Sequence, residues 1–324
     1  MSWEAWVAPL PYLLALLLVP RVIHERRPSG ATVAWLLAIG LFPALGVPLY
    51  LLLGGRTIRR RIRARTGREE IAPPSPPPLE AELGPVASRC SETLVRVGAP
   101  PPVPGPGVRF FEDGVSAYAG LMEAFDRARH HIHVQTFILG RDPTGRAVVR
   151  RLAERAAEGV RVRLLVDGFG AFPFFYRFTA PLARAGGEAR IFHPTFPVWR
   201  AVTANLRNHR KIVVVDGELA VVGGMNLKDE YMAPEPLPDQ WIDYNMSLEG
   251  PGVGHLQALF LEDWRDAGGR PPEPGEPLFP RPSPHVDGAE SPLQVVPSGP
   301  DLPRRPIHYG VLAALTAAQR RVVI

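Results

Sequence analysis

Asn208-His-Arg-Lys-Ile-Val-Val-Val-Asp-Gly217, followed by Glu218–Val222 and Gly223-Gly-Met-Asn226, is the stretch around which the rest of the chain is organised. Two apolar runs, Ile212–Val215 and Leu219–Val222, flank Asp216-Gly217, a dipeptide that favours a tight hairpin turn. Side chains of an extended segment alternate, so the spacing predicts His209 and Lys211 on one face and Asp216 on the other. An imidazole beside an ammonium is a poor pairing for folding, because neither satisfies the other. It suits an anion: the lysine neutralises two phosphate oxygens while a ring nitrogen attacks phosphorus. Gly223 and Gly224 let the backbone approach closely, and the Asn226 amide can donate to a third oxygen. The ordinary readings are a hydrogen-bonded histidine and a solvated lysine. Composition tips the balance, since Lys211 and Lys228 are the only lysines beside 35 arginines. A guanidinium is a planar fork, whereas lysine supplies a compact charge. Asp216 is open to a catalytic or a purely structural reading.

Outward from this hairpin the pattern is strand and helix in alternation. Val108–Phe111 reads as a strand, Val115–Arg129 as an amphipathic helix and Ile132–Leu139 as a strand. Arg146–Glu158 follows as a helix, Val160–Val166 as an apolar strand, then a helix near Pro181–Ala185 and a strand over Ala189–Phe192. Such alternation implies a mixed, largely parallel sheet covered by helices.

The 324 residues carry a formal charge of +5, which points to an anionic partner without naming it. The lone cysteine, Cys90, excludes an intrachain disulfide framework and a cysteine-based zinc finger. Residues 1–60 read as a membrane anchor. Ala5–Pro20 is uncharged, and Ala31–Gly55 gives 25 consecutive uncharged residues. At about 1.5 Å per residue the second stretch reaches roughly 37 Å as one helix, enough to span a bilayer. Trp3, Trp6, Trp35 and Tyr50 stand near the ends, and a two-helix transmembrane hairpin is expected. Arg56–Arg68 holds seven arginines, which places the following residues in the cytoplasm and suits anionic headgroups. Residues 61–107 read as a basic and then proline-rich linker, with eleven prolines in Ile71–Gly107 and one short helix around Ser88–Val97. Residues 108–290 form the first catalytic-type domain.

A repeat is also legible. Shifted by 190 positions, Leu121, Ala124, Phe125, Ile132 and Val134 fall on Val311, Ala314, Leu315, Val322 and Ile324. Residues 291–324 are therefore expected to begin a second copy, running out in the apolar strand Arg321–Ile324. His130, His131 and His133 invite a metal reading, but no acidic partner lies near them in sequence and no metal or cofactor is expected. Asp167-Gly-Phe-Gly170 reads as a turn after a strand, near enough to a strand end for a modest role at the site. The aromatic run Phe172–Tyr176 fits either core or a lipid-facing patch.

The spacing His209-x-Lys211-x4-Asp216-x6-Gly223-Gly224-x-Asn226 resembles the HKD motif of the phospholipase D superfamily. The closer resemblance is to bacterial cardiolipin synthases. It is carried by the N-terminal apolar pair, Asp142-Pro-Thr-Gly145, Gly159–Asp167, Asn208–Ile212, Gly224-Met-Asn226 with Tyr231, and Gln294–Pro300. This resemblance implies an α/β fold, a phospholipase D-like mixed sheet flanked by helices behind the transmembrane hairpin. It implies a phosphatidyl transfer between two phosphatidylglycerol molecules through a phosphohistidine at His209, giving cardiolipin and glycerol. Lys211, Gly223, Gly224 and Asn226 would hold the phosphate, and Asp243, in Trp241-Ile-Asp-Tyr-Asn245, would orient the histidine. The family carries two such motifs, so a second half is expected in cis or from a homodimer, and without it little activity. The implied location is the bacterial inner membrane, multi-pass, with the catalytic domain cytoplasmic; nucleic acid is not expected as a partner. Phospholipase D-type hydrolysis, nuclease-type cleavage and an inert membrane-bound fragment are the competing readings.

Overall fold

The computed structural model describes residues 10–24, 29–53, 71–76, 79, 82–105, 107–171, 174–194, 207–280, 291–299 and 306–323. Trp3, Trp6, the arginine run 56–68, Phe172, Pro300 and Ile324 lie outside the described residues. The chain divides into two compact units, one holding the described residues up to 53 and the other those from 71 onward.

Among the described residues the first unit holds three helices, α1 (Leu10–His24), α2 (Ser29–Leu41) and α3 (Pro43–Leu53). The uninterrupted helix expected over Ala31–Gly55 is not formed. Pro43 lacks the N–H that would continue the ladder, and it disfavours helical backbone at the preceding residue, so the chain turns at Phe42. Trp35 and Tyr50 would stand roughly 22 Å apart along one straight helix. Instead their rings meet edge-on at 5.5 Å. Gly46 packs against the Ala38 carbonyl, where a Cβ would not fit. Ala15, Val22, Ile39, Val47 and Tyr50 form a small core, while Leu13, Leu16, Leu17, Leu37, Leu41 and Leu45 remain exposed. No helix among the described residues is long and apolar enough to cross a membrane.

The second unit contains α4 (Pro85–Arg96), β1 (Val103–Gly105), β2 (Arg109–Phe111), α5 (Gly114–Arg127), β3 (His131–Thr136), α6 (Pro143–Ala157) and β4 (Arg161–Asp167). After these come α7 (Phe175–Phe178), α8 (Ala180–Arg184), β5 (Glu188–Phe192), β6 (Ile212–Val215), β7 (Leu219–Gly223), β8 (Asn245–Glu249), α9 (Gly252–Asp266), β9 (Ser291–Leu293) and α10 (Pro306–Ala317). Local chemistry starts two of the helices. The Asp113 carboxylate accepts from the Ser116 N–H at 2.6 Å to cap α5, and Asp142 accepts from Gly145 at 2.9 Å ahead of Pro143 to cap α6.

Seven strands form one mixed sheet in the order β2-β8-β7-β6-β3-β4-β5. β3, β4 and β5 run parallel, joined through helices, and the remaining pairs are antiparallel. On one face Ile132, Val134, Leu164, Val166, Val213 and Val221 pack with Leu121 and Phe125 of α5 and Val148 and Leu152 of α6. The other face receives α9, through two apolar clusters around Val214 and Phe260 that Leu293, Val295, Leu278 and Phe279 also join. The β6–β7 hairpin turns at Asp216 and Gly217, whose φ values of 54° and 70° are the left-handed pair that a tight primed turn requires.

Two expectations are corrected. β6 begins at Ile212, so His209 and Lys211 precede the strand and do not belong to it. Residues 321–323 carry no strand. The helix before them, α10, packs Gly310 onto Leu94 of α4. Val311 and Leu315 are exposed there, whereas their repeat counterparts Leu121 and Phe125 are buried.

Candidate active site

The Lys211 ammonium lies 3.1 Å from both ring nitrogens of His209 and donates to the His209 carbonyl at 2.9 Å. Phe137, just after β3, closes one side: its ring is 4.6 Å from the His209 ring and 5.4 Å from Lys211 Nζ. His209 itself is exposed, while Lys211 is buried. Desolvation and the adjacent Lys211 charge lower the His209 pKa, with Asp167 acting in the opposite sense. Burial pushes Lys211 down to about 8, against the attraction of Asp243. At neutral pH the pair is therefore a neutral imidazole beside a charged ammonium, an arrangement able to combine a nucleophile with a charge that holds an anion. The carboxylates acting on the two are different: Asp167 faces His209, and Asp243 faces Lys211.

Two buried acids hold the segment on which His209 sits. Asp167, at the end of β4, accepts from the Asn208 N–H at 2.9 Å and from Arg207 at 3.2 Å. Desolvation raises its pKa, and these donors oppose the rise. Asp263, fully buried on α9, accepts from Asn208 Nδ2 at 2.6 Å, from Gln135 Nε2 at 2.9 Å and from Arg210. Asn208 Oδ1 in turn accepts from the Arg210 N–H at 3.1 Å. Residues 207–210, which have no strand partner, are thereby fixed from β4 on one side and α9 on the other.

The glycine turn is held by the segment leading into β8. The Gly224 N–H donates to the Tyr244 carbonyl at 3.0 Å, and Met225 N–H to Asn245 Oδ1 at 3.2 Å. Gly224 lies directly against the Asp243 carboxylate and Gly223 against Asn245, so a side chain at either position would displace them. Asn226 is buried, and its Oδ1 accepts from the Ile138 N–H at 3.0 Å, which fastens the segment after β3 to the turn. That bond leaves the amide NH₂ as the half able to donate.

His209, Lys211, Gly224 and Asp243 are thus brought together, with Gly223 and Asn226 in the supporting turn. Asp216 is not among them. It stands at the far end of β6, where its carboxylate accepts from the Arg129, His130 and His131 N–H groups at 2.7, 2.8 and 2.8 Å. His131 and His133 are buried between β3 and α9, where the His133 ring contacts Gln257 at 3.1 Å and Arg163 at 2.8 Å. Among the described residues no group of three or more His, Cys, Asp or Glu side chains is arranged to hold a metal ion. Of the aromatic run, Phe175 is core, and Phe174 and Tyr176 are exposed.

Sequence reasoning missed Asp263, although a signal existed. Val253, Leu256 and Phe260 mark the buried stripe of α9, and position 263 continues it. An acid on an apolar stripe calls for a buried partner.

The arrangement, a histidine–lysine pair at the mouth of a mixed α/β sheet, defines a phospholipase D-like protein. Residues 121–264 match the family model described as "Cardiolipin synthase, PLD-like domain", and residues 12–55 match a phospholipase D-nuclease N-terminal model. The chain is 33% identical to cardiolipin synthase 1 of Bacillus anthracis over 94% of its own length and 62% of the relative's. It is 30% identical to the major cardiolipin synthase of Bacillus subtilis over 100% of this chain and 70% of that one. A phospholipase D family member, Nuc, from Salmonella typhimurium superposes with a TM-score of 0.39 at 19% identity, covering 50% of this chain and 94% of that one. The chain belongs to the cardiolipin synthase family.

Proposed function

We propose that this chain carries the first half-site of a cardiolipin synthase that joins two phosphatidylglycerol molecules into cardiolipin and glycerol. The observation that carries the reading is the Lys211 ammonium 3.1 Å from both nitrogens of an exposed His209 ring. A His209 ring nitrogen forms a bond to phosphorus, the bond from phosphorus to the glycerol oxygen breaks, and that oxygen takes a proton as glycerol leaves. The terminal hydroxyl of a second phosphatidylglycerol then attacks the phosphohistidine. It gives up its proton, and the phosphorus–nitrogen bond breaks to free His209. Lys211, the Asn226 amide and the backbone at Gly223 and Gly224 receive the phosphoryl oxygens, and Asp243 holds the Lys211 ammonium in place. The sequence has a single His-x-Lys pair. The proton donor for the leaving glycerol is a second such motif, supplied in cis or by a second copy. Positioned proton transfer of this kind contributes roughly 10²–10⁴-fold.

The exposed leucines of α1–α3 anchor the chain at the bacterial inner membrane, with the α/β unit on the cytoplasmic side. Asp216 serves the β6–β7 turn and not the chemistry. The test uses detergent-solubilised chain, alone and co-expressed with a second-motif domain, incubated with phosphate-labelled phosphatidylglycerol. We expect an acid-labile labelled enzyme that His209→Ala abolishes, and cardiolipin as product when both motifs are present. Label retained by His209→Ala would overturn the assignment. Phosphatidic acid as the product would make water the acceptor and the protein a hydrolase.

A further inference from the structure

Away from the His209–Lys211 pair, α6, α7 and α8 enclose a cleft of about 800 Å³, within the size range of small-molecule sites. Among the described residues five arginines line it, Arg141, Arg146, Arg150, Arg177 and Arg184, against a single acid, Glu154. That acid is shared with Arg151 at 2.9 Å and with Arg150 at 3.9 Å. Among the described residues Arg177 has no acidic partner, and Arg184 bonds only the Ala180 carbonyl, at 3.4 Å. The rest of the lining is apolar, including Val149, Ala153, Phe174 and Phe178. Phe174 is 69% exposed and sits at φ 75°, a left-handed conformation costly for a bulky residue. A strained, solvent-facing phenylalanine at the mouth of an arginine-lined cleft marks a binding surface more readily than a folding element.

We propose that this cleft binds an anionic phospholipid drawn from the bilayer, separately from the catalytic pair. The phosphodiester meets Arg177 and Arg184, whose guanidinium forks match phosphate oxygens, and one acyl chain lies along Val149, Ala153 and Phe178. Among the described residues, apart from the arginines and Glu154, no polar side chain lines the cleft to read a base or a sugar hydroxyl. That lining favours an amphiphile over a nucleotide. One end of the cleft, at Arg141 and Phe174, follows the carboxyl ends of β3 and β4, and Asp167, which accepts from the Asn208 N–H, ends β4. The proposal stands on the cleft's own chemistry and does not depend on the reaction at His209.

The experiment uses this chain carrying His209→Ala and Lys211→Glu, so that the probe is neither consumed nor held at the catalytic pair, in an uncharged detergent. The probe is a short-chain phosphatidylglycerol with a fluorescent acyl chain. We expect saturable binding that weakens about tenfold or more in Arg177→Glu/Arg184→Glu. The same loss is expected when the headgroup is phosphatidylcholine, and when Ala153→Trp fills the floor. Arg89→Glu/Arg96→Glu, on exposed α4, is expected to bind as the parent does. Melting temperatures establish that each variant is folded. Unchanged binding in the Arg177/Arg184 pair, equal binding of both headgroups, or an equal loss in the α4 control would overturn the proposal. Displacement by a nucleotide at the probe's own concentration would overturn it as well.

Discussion

Asp263→Ala tests whether the His209 segment is held from behind. The Asp263 side chain has no exposed surface, and that of Arg210 retains only 15%. Removing the carboxylate strands the Arg210 guanidinium, the Asn208 amide and the Gln135 amide in the space between β3 and α9. Breaking a buried ion pair from one side costs about 3–5 kcal/mol, because the partner's charge stays buried without compensation. For a unit of this size each kcal/mol moves the melting temperature by roughly 2–4 °C. The expected fall is therefore roughly 6–20 °C. Asp263→Asn keeps one acceptor oxygen and loses the charge, so its fall should be smaller. Both variants should also form the phosphohistidine more slowly at temperatures where they are fully folded, since Asn208, the neighbour of His209, loses its side-chain anchor. Calorimetry and a quenched single-turnover assay read the two effects. A shift below about 2 °C, or a full rate of phosphoenzyme formation in folded Asp263→Ala, would refute the reasoning.

Asp216→Ala removes the acceptor of three N–H groups and an acidic residue suited to φ 54°. It should cost about 2–4 kcal/mol of stability while the folded fraction still forms the phosphohistidine; chemical loss at unchanged stability would make Asp216 catalytic. Lys211 titrates at about 8, so it is charged below that pH and neutral above. The rate of phosphoenzyme formation should fall as pH rises through about 8 to 9, and a profile flat to pH 10 would exclude Lys211 as the clamp. His131 is held neutral by burial, with its pKa lowered from 6.5 to about 4. The unfolded chain then binds the proton first, so stability should drop as pH falls below 6.5, by about 2 kcal/mol at pH 5. Denaturant midpoints from pH 7.5 to 5 measure this, and His131→Gln should flatten the slope.

The sequence by itself determined whatever depends on neighbours along the chain. The strands and helices from Val108 to Phe192 follow from apolar periodicity. The β6–β7 hairpin follows from Asp216-Gly217, and the candidate pair from a histidine and a lysine spaced two apart ahead of glycines. Tertiary structure decided which acids serve that pair. Asp167 reaches Asn208 across 41 positions and Asp263 reaches it across 55, distances over which no local periodicity carries information. Asp243 is a case between the two. Its candidacy rested on the family resemblance, and that it acts on the Lys211 charge rather than on His209 depends on how the segment before β8 lies against Gly224. The apolar run Ala31–Gly55 shows the converse limit. Hydropathy counts uncharged residues and is indifferent to Pro43, which removes one ladder N–H and disfavours helical backbone at Phe42. The same letters that suggest one long span therefore fold into two short helices packed on each other.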